Sequence, residues 1–410
     1  MGRLRARHWL AVLLALSLIV VAWRFTGNAE SEDAVETTVD DGLASLPVDP
    51  VEPADDGQEP DELALTDDED VAEPEDGDEP PAVVGPVSPF TGLPTDRASA
   101  ERPALVVKVD NHPRARPQTG LDQADIVFDL RAEGITRFAA VFQSIVPEPV
   151  GPVRSSRTSD FDLLRGLDNP LYASSGANDH VAAGLRELPI VELTNRTRSE
   201  YFRDFDRPAP HNLYVSGGDL YALAPADLPV PEPWFAYRRP GETVPPAATT
   251  AAGPVSIAFT GSPLVTHEWD AAIGGWRRTQ DGAPHLTVAG DQLAPENVVI
   301  FVTDYGTSPA DPISPEVRST GSGDLVVLTD GHVILGTWER PTAEDTPTLT
   351  DVDGDPIALT AGRTWVLMPE AGQVRFAPGQ QLTETATVGG SAATSGTVDG
   401  SAGDTADSTP

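Results

Sequence analysis

Cysteine is absent from all 410 residues. That excludes disulfides, cysteine-ligated metals, a thiol nucleophile and a lipid-modified cysteine anchor. Lysine and arginine are absent from residues 30–82, which carry 22 Asp and Glu. The chain has a net charge of −37, and no basic face large enough to neutralise a phosphate backbone is visible, so nucleic acid is excluded as a partner. Also missing are a His-Glu-x-x-His pair, a Gly-x-Ser-x-Gly elbow, a P-loop, a dinucleotide fingerprint and any internal repeat.

What is present begins with a targeting element at 1–29. Arg3, Arg5 and Arg7 precede a run of 15 residues, Trp9 to Trp23, broken only by Ser17 and closed by Arg24. The positive end stays in the cytoplasm by charge bias, which places the rest outside. The run is short for a span, which takes about 20 apolar residues, yet tryptophans stand at both of its ends. Gly27-Asn28-Ala29 offers a cleavage site as the alternative. Either reading exports the remainder, as a membrane-tethered protein with a single N-terminal span or as a secreted one. Residues 30–87 are Asp, Glu, Pro, Ala and Val with few aromatics, too polar to offset their ordering entropy, and are expected to be a disordered acidic linker. A Thr, Gly, Ser and Ala-rich tail at 378–410 reads the same way.

The region between them is expected to be α+β: a mixed α/β N-terminal half at 88–225, a Pro/Ala-rich linker at 226–254 and a β-rich C-terminal half at 255–377. Ala104 to Val109, Asp125 to Leu130, Ile135 to Phe142 and Pro170 to Ala173 have the apolar, β-branched content of strands. Ser156 to Leu167 and Asp179 to Leu188 read as helices, the first capped by Ser155 or Ser156, the second by Asn178 or Asp179. In the second half, short strands are punctuated by the turn signals Asp281-Gly282, Asp330-Gly331 and Asp353-Gly354.

Three motifs could carry chemistry. Asp110-Asn111-His112 ends a strand and is followed by Pro113, Arg114, Arg116 and Gln118, so a carboxylate, an amide and an imidazole share one loop. Acid–base work by Asp110 or His112, or ligation of a divalent cation, is one reading. An Asx turn stiffened by Pro113 is the other. Gly151-Pro-Val-Arg-Ser-Ser-Arg157 leads into the predicted helix. Arg154, Ser155 and Arg157 at a helix start suit a phosphate or carboxylate; a capped helix whose arginines pair with Glu133, Asp160 or Asp162 is the alternative. Pro210-His-Asn-Leu-Tyr214 supplies His211 and Asn212, and Glu133-Gly-Ile-Thr-Arg137 supplies a carboxylate and a guanidinium. Asp110, His112, Glu133 and His211 would form an acid–base or metal site if the fold made them converge. The metal and cofactor questions stay open at this level. Trp269, Trp276, Trp338 and Trp365 read as core or as a sugar-stacking platform.

The same segments carry a resemblance. Val109-Asp-Asn-His-Pro-Arg-Ala-Arg-Pro-Gln118, Gly120-Leu-Asp-Gln-Ala-Asp125, Glu133 to Phe138, Gly151 to Arg157 and Ala209 to Tyr214 stand in order. They are followed by Asn297-Val-Val, Gly321-Ser-Gly323, Asp330-Gly331, Gly336-Thr-Trp338 and Gly362-Arg-Thr-Trp-Val366. In these the chain resembles the YerB-like family of bacterial envelope lipoproteins, whose two-part domain is one of unknown function, number 3048. The resemblance spans roughly 88–370 and implies an envelope location without an established reaction. Lipoproteins of that type end their signal in cysteine, and this chain has none, so the apolar run itself must be the anchor if anything stays in the membrane. Three classes remain: a module binding an anionic cell-wall or lipid-linked ligand, an envelope hydrolase or transferase, and a scaffold with a flat, apolar docking surface.

Overall fold

A computed structural model describes residues 85–195 and 199–382. The expectations for 1–29, and for all but the inner edges of 30–87 and 378–410, lie outside the described residues. Among those described, no helix is long and apolar enough to cross a membrane.

The strands, numbered in chain order, begin with β1 (Leu105–Asp110), β2 (Ile126–Arg131), β3 (Thr136–Phe142), β4 (Leu171–Ala173) and β5 (Val191–Glu192). A hairpin, β6 (Tyr201–Arg203) and β7 (Leu213–Val215), follows. Next come β8 (Thr249–Thr250), β9 (Val255–Ala258), β10 (Leu264–Asp270), β11 (Gly275–Gln280) and β12 (Ala283–Pro284). The remainder are β13 (Asn297–Phe301), β14 (Tyr305–Thr307), β15 (Pro315–Val317), β16 (Gly321–Thr329), β17 (His332–Arg340), β18 (Thr348–Asp351), β19 (Thr364–Leu367) and β20 (Val374–Arg375). An 11-stranded sheet runs β18-β17-β16-β13-β19-β2-β3-β1-β4-β5, with β8 on β17. A 5-stranded sheet runs β12-β11-β10-β9-β20.

The two halves share the large sheet. β19, late in the chain, lies parallel to β2, with Thr364 opposite Ile126 and Leu367 opposite Asp129. The expected α/β N-terminal half is therefore corrected. Sheet dominates throughout, and the α+β description holds with few helices, the described ones running from 4 to 7 residues. α/β character is confined to the β1-β4-β5 edge, which is parallel, with short helices at Phe161–Arg165 and Asp179–Leu185. The second starts where expected, Asn178 capping the Val181 N–H. The first is shorter than Ser156–Leu167, because Ser156 and Asp160 are held by buried partners. Asp168 and Asn169 then take left-handed φ of 52° and 56° beyond its end.

Alternation along the strands assigns the layers. Leu105, Val107 and Val109 face a core shared with Val255, Ile257, Val265 and Trp276 of the small sheet. Val106, Ile126, Phe128 and Leu130 face the helices through Leu163, Leu164, Val181 and Leu185. Burial on both faces explains why these strands read as continuous apolar runs. The tight turns appear as expected: Asp281 and Gly282, and Asp330 and Gly331, all have positive φ, the geometry of type I′ hairpins. The 226–254 segment is mostly loop, but it buries Trp234 and Phe235 in the helix-side core. Trp276, Trp338 and Trp365 are buried and Trp269 packs against the core, so these four are packing residues and not a platform.

Candidate anion-binding site

The site lies where β1 ends and β3 begins. Lys108 and Asp110 alternate onto the helix-side face of β1, and Arg137 stands opposite Asp110 in the antiparallel register. All three are buried. Lys108 is paired with Asp160. Burial pushes the Lys108 amine down, while the Asp160 charge and hydrogen bond oppose that.

Asp110 is the hub. Its Oδ1 accepts the His112 N–H at 2.9 Å, the Asx-turn geometry, while Oδ2 lies 2.7 Å from His211 Nδ1 and 3.3 Å from Arg154 Nε. The turn and the functional constellation are thus one arrangement. His211 reaches Asp110 because β7 is tied to the 150–153 segment, Val153 N–H donating to the Leu213 carbonyl. Gly151 permits that approach, since a Cβ there would stand 2.6 Å from the Tyr214 ring. His112 and His211 stack, with ring centroids 4.2 Å apart and planes within 14°. His112 Nδ1 accepts the Arg114 N–H at 3.1 Å. Desolvation, then the neighbouring His211, lower the His112 pKa, with Arg114 and Arg154 adding to the effect.

A second group adjoins the first through Arg137, whose guanidinium bonds the Ser155 carbonyl at 3.3 Å and Glu133 at 3.1 Å. Arg157 holds Glu133 through Nε and, at 2.9 Å, through Nη2, and Ser314 donates to the same carboxylate. Burial alone would raise the Glu133 carboxyl, but the Arg157 and Ser314 hydrogen bonds and the arginine charges outweigh it and hold the pKa at about 2. Burial and then the Arg157 charge bring Arg137 down to about 10.

The expected pairing of Arg154 and Arg157 around an anion is corrected. Arg157 is committed to Glu133 and to the Ser156 carbonyl. The helix start is also lost as an anion site, because the helix is short and begins at Phe161. Ser155 is not a cap either; its Oγ lies 3.1 Å from Ser175 Oγ. Arg154 is different. Its side chain is 26% exposed, its Nε faces Asp110, and its two terminal nitrogens have no protein partner among the described residues. Four cations (Lys108, Arg137, Arg154, Arg157) face three carboxylates (Asp110, Glu133, Asp160), with Asp311 joined to Glu133 through Ser314 as a fourth.

Three of the expected ligand residues are structural. Asn111 bonds Thr136 at 2.7 Å, and Arg116 bridges Asn111 to Asp281. Asn212 braces the β6–β7 loop through the Asp204 and Arg207 carbonyls. Glu133 is kept from the Asp110–His211 pair by the intervening arginines, so the four expected acid–base residues do not form one cluster. Among the described residues no group of three or more His, Cys, Asp or Glu could hold a metal ion.

Two features carry more than the sequence assigned to them, although Arg114 and Gln118 stand in the Asp110 motif. Arg114 is exposed, with no side-chain partner among the described residues, and its charge reaches His112. Its place beside His112 in the loop was the available signal. The other is a buried chain behind Asp110. Gln118 donates to the Asp110 carbonyl at 2.9 Å and meets His285 Nε2 at 2.8 Å. His285 Nδ1 contacts Arg278, which donates to Asp129 at 2.8 Å. The small sheet thus buttresses the loop that carries the site.

Comparison with known proteins agrees with this architecture. Residues 90–228 match the family described as "Protein of unknown function (DUF3048) N-terminal domain", and residues 255–366 match its C-terminal domain. The chain is 30% identical over 313 residues to "Putative lipoprotein YerB" of Bacillus subtilis (strain 168), covering 72% of this chain and 89% of that protein. The crystal structure of YerB from Bacillus subtilis superposes with a TM-score of 0.62 at 27% identity, over 71% of this chain and 99% of that one.

Proposed function

The chain belongs to the DUF3048 family of proteins of unknown function, and from that footing we propose that it is a cell-envelope protein binding an anionic ligand at the Asp110–His211–Arg154 pole. The observation that carries this reading is Arg154: a guanidinium whose Nε forms a 3.3 Å ion pair with a buried carboxylate without a hydrogen bond to it, and whose terminal nitrogens are open to a bidentate partner. Arg114 and the stacked imidazoles of His112 and His211 line the same opening. Ordering Arg154 against Asp110 before the ligand arrives lowers the entropy cost of binding. The relative described as a lipoprotein supports an envelope location. In this chain, which lacks cysteine, the apolar run within 1–29 takes the place of a lipid anchor and holds the module outside the cytoplasm. Titration of inorganic phosphate into the chain and its Arg154→Gln variant tests the reading. At least tenfold weaker binding by the variant is expected, and unchanged binding rejects it.

A second reading rests on the His211–Asp110 hydrogen bond. With Nδ1 turned to Asp110, Nε2 has no protein partner among the described residues, the orientation of an imidazole that takes a proton from a substrate hydroxyl or water. Turnover of a bound phosphate ester, lost in His211→Gln with the ester still bound, distinguishes this hydrolase reading from simple retention.

A further inference from the structure

We propose that the ligand held at this pole is an anionic saccharide, a sugar unit bearing a phosphate or carboxylate. Phe202 and Phe205 would stack its ring, and Arg154 and Arg114 would hold its anion. The inference rests on the anion-binding reading above and names the class of ligand.

The hairpin that delivers His211 also carries the exposed aromatics. Phe205, in its loop, is 88% exposed, the most exposed large apolar side chain described, and Phe202 on β6 is 46% exposed. Phe202 lies against Tyr214 across the hairpin, with ring centroids 5.9 Å apart and planes within 21°, so one face is fixed toward the protein and the other faces out. Arg207 ties the same loop to the Ala115 and Pro117 carbonyls, which brings the aromatic tip beside the segment holding Arg114. Exposed apolar side chains on the hairpin that carries His211, with the open edge of Arg154 and the exposed Arg114 at the same pole, mark a recognition surface more than scattered surface residues do. Flat aromatic rings with polar neighbours fit a ligand that has an apolar C–H face and a charged substituent.

Charge favours a saccharide over a bilayer surface. Residues 83–410 hold 42 acidic and 23 basic residues. A bilayer rich in anionic lipid would meet far more of that acidic surface than one saccharide unit, which meets only the groups within a Debye length, about 8 Å.

The test titrates the full chain with inorganic phosphate, N-acetylglucosamine 6-phosphate, N-acetylglucosamine and phosphatidylglycerol vesicles. Each titration is repeated with Phe202→Ala/Phe205→Ala and with Arg154→Gln. Vesicle binding is read as the difference between the chain and its phenylalanine variant, so that the N-terminal apolar run cancels. The expected result is that the sugar phosphate binds at least tenfold tighter than phosphate, that the phenylalanine variant loses this advantage while keeping phosphate affinity, and that Arg154→Gln weakens both. Equal affinity for phosphate and sugar phosphate, or phenylalanine variants without effect, overturns the saccharide and leaves the anion reading standing. Vesicle binding that depends on the phenylalanines, with no gain for the sugar, overturns it in favour of a bilayer. Absence of phosphate and sugar phosphate binding in the parent chain overturns both readings together.

Discussion

The molecule contains two constellations of the same three residue types, and they have opposite fates. Asp129, Arg278 and His285 are sealed between the sheets, with Arg278 lying over the Phe138 and Trp365 rings at 5.4 and 4.8 Å. Asp110, Arg154 and His211 stand at the sheet's end, where only the carboxylate is wholly buried. In the sealed set the charges serve each other, and Asp129 Oδ1, Arg278 Nε and both nitrogens of nearby His267 lack partners among the described residues. Buried polar atoms left in that state each cost about 1–3 kcal/mol, so the set holds the sheets in register at a cost to stability. In the open set Arg154 Nε also lacks a hydrogen-bond partner, but a guanidinium edge and an imidazole nitrogen stay available. Burial decides which is a staple and which stays open to a ligand.

Breaking the sealed set should have the largest effect. Arg278→Leu strands Asp129 without its cation and is expected to cost about 3–5 kcal/mol in urea unfolding. Adding Asp129→Leu should recover most of that loss. If the single variant is neutral, the sealed set is not the staple described.

Next comes the carboxylate beside the open set. The Glu133 pKa is depressed in the folded chain to about 2, from an unfolded value near 4.5. Its contribution is therefore complete above about pH 4.5 and is lost as pH falls toward 2, to a total of about 3 kcal/mol. Unfolding at pH 5 and pH 3 should show roughly half of that total, about 2 kcal/mol, in the parent chain and a smaller drop in Glu133→Gln; equal drops would contradict the Arg157–Glu133 assignment.

A smaller effect separates the histidines. Burial, then the Arg278 charge, holds His267 and His285 well below their ordinary pKa of 6.5, so both stay neutral when folded and take up protons on unfolding. Stability should fall as pH drops below about 6.5, by up to about 1.4 kcal/mol per pH unit for each histidine. His285→Gln should flatten that slope, and an unchanged slope would remove His285 as its source. Smallest of all, Arg154→Gln should cost about 1 kcal/mol or less, because Asp110 keeps His211 and the His112 N–H. Double-mutant unfolding with Asp110→Asn measures that coupling, and a value above about 3 kcal/mol would make Arg154 a staple as well.

Much of the fold could be read locally. Strands such as Ala104 to Val109 and Ile135 to Phe142 fall within a residue of the observed elements, because burial on both faces writes an apolar run into the sequence. The Asp-Gly hairpins at 281 and 330 were equally legible, since their backbone needs positive φ. The insertion of β19 beside β2 was not, because that pairing joins residues far apart in the chain. The Ser156–Leu167 helix misled for a related reason: Asp160 caps and pairs with Lys108 from β1, a partner that no local pattern reveals. At the site, Asp110, His112 and His211 stood out as polar groups in strand-end loops, and the fold does bring them together. The sequence could not show which arginine stays free, since Arg154 and Arg157 differ only in whether Glu133 reaches them.

That distinction is the centre of the account, and a phosphate titration of Arg154→Gln beside Arg157→Gln tests it most directly. At pH 7, Arg154→Gln should lose at least tenfold in affinity at nearly parental stability. Arg157→Gln should lose stability with little loss of affinity in the molecules that remain folded. Equal losses of affinity in both variants, or none in Arg154→Gln, would contradict the assignment of Arg154 as the open cation of the site.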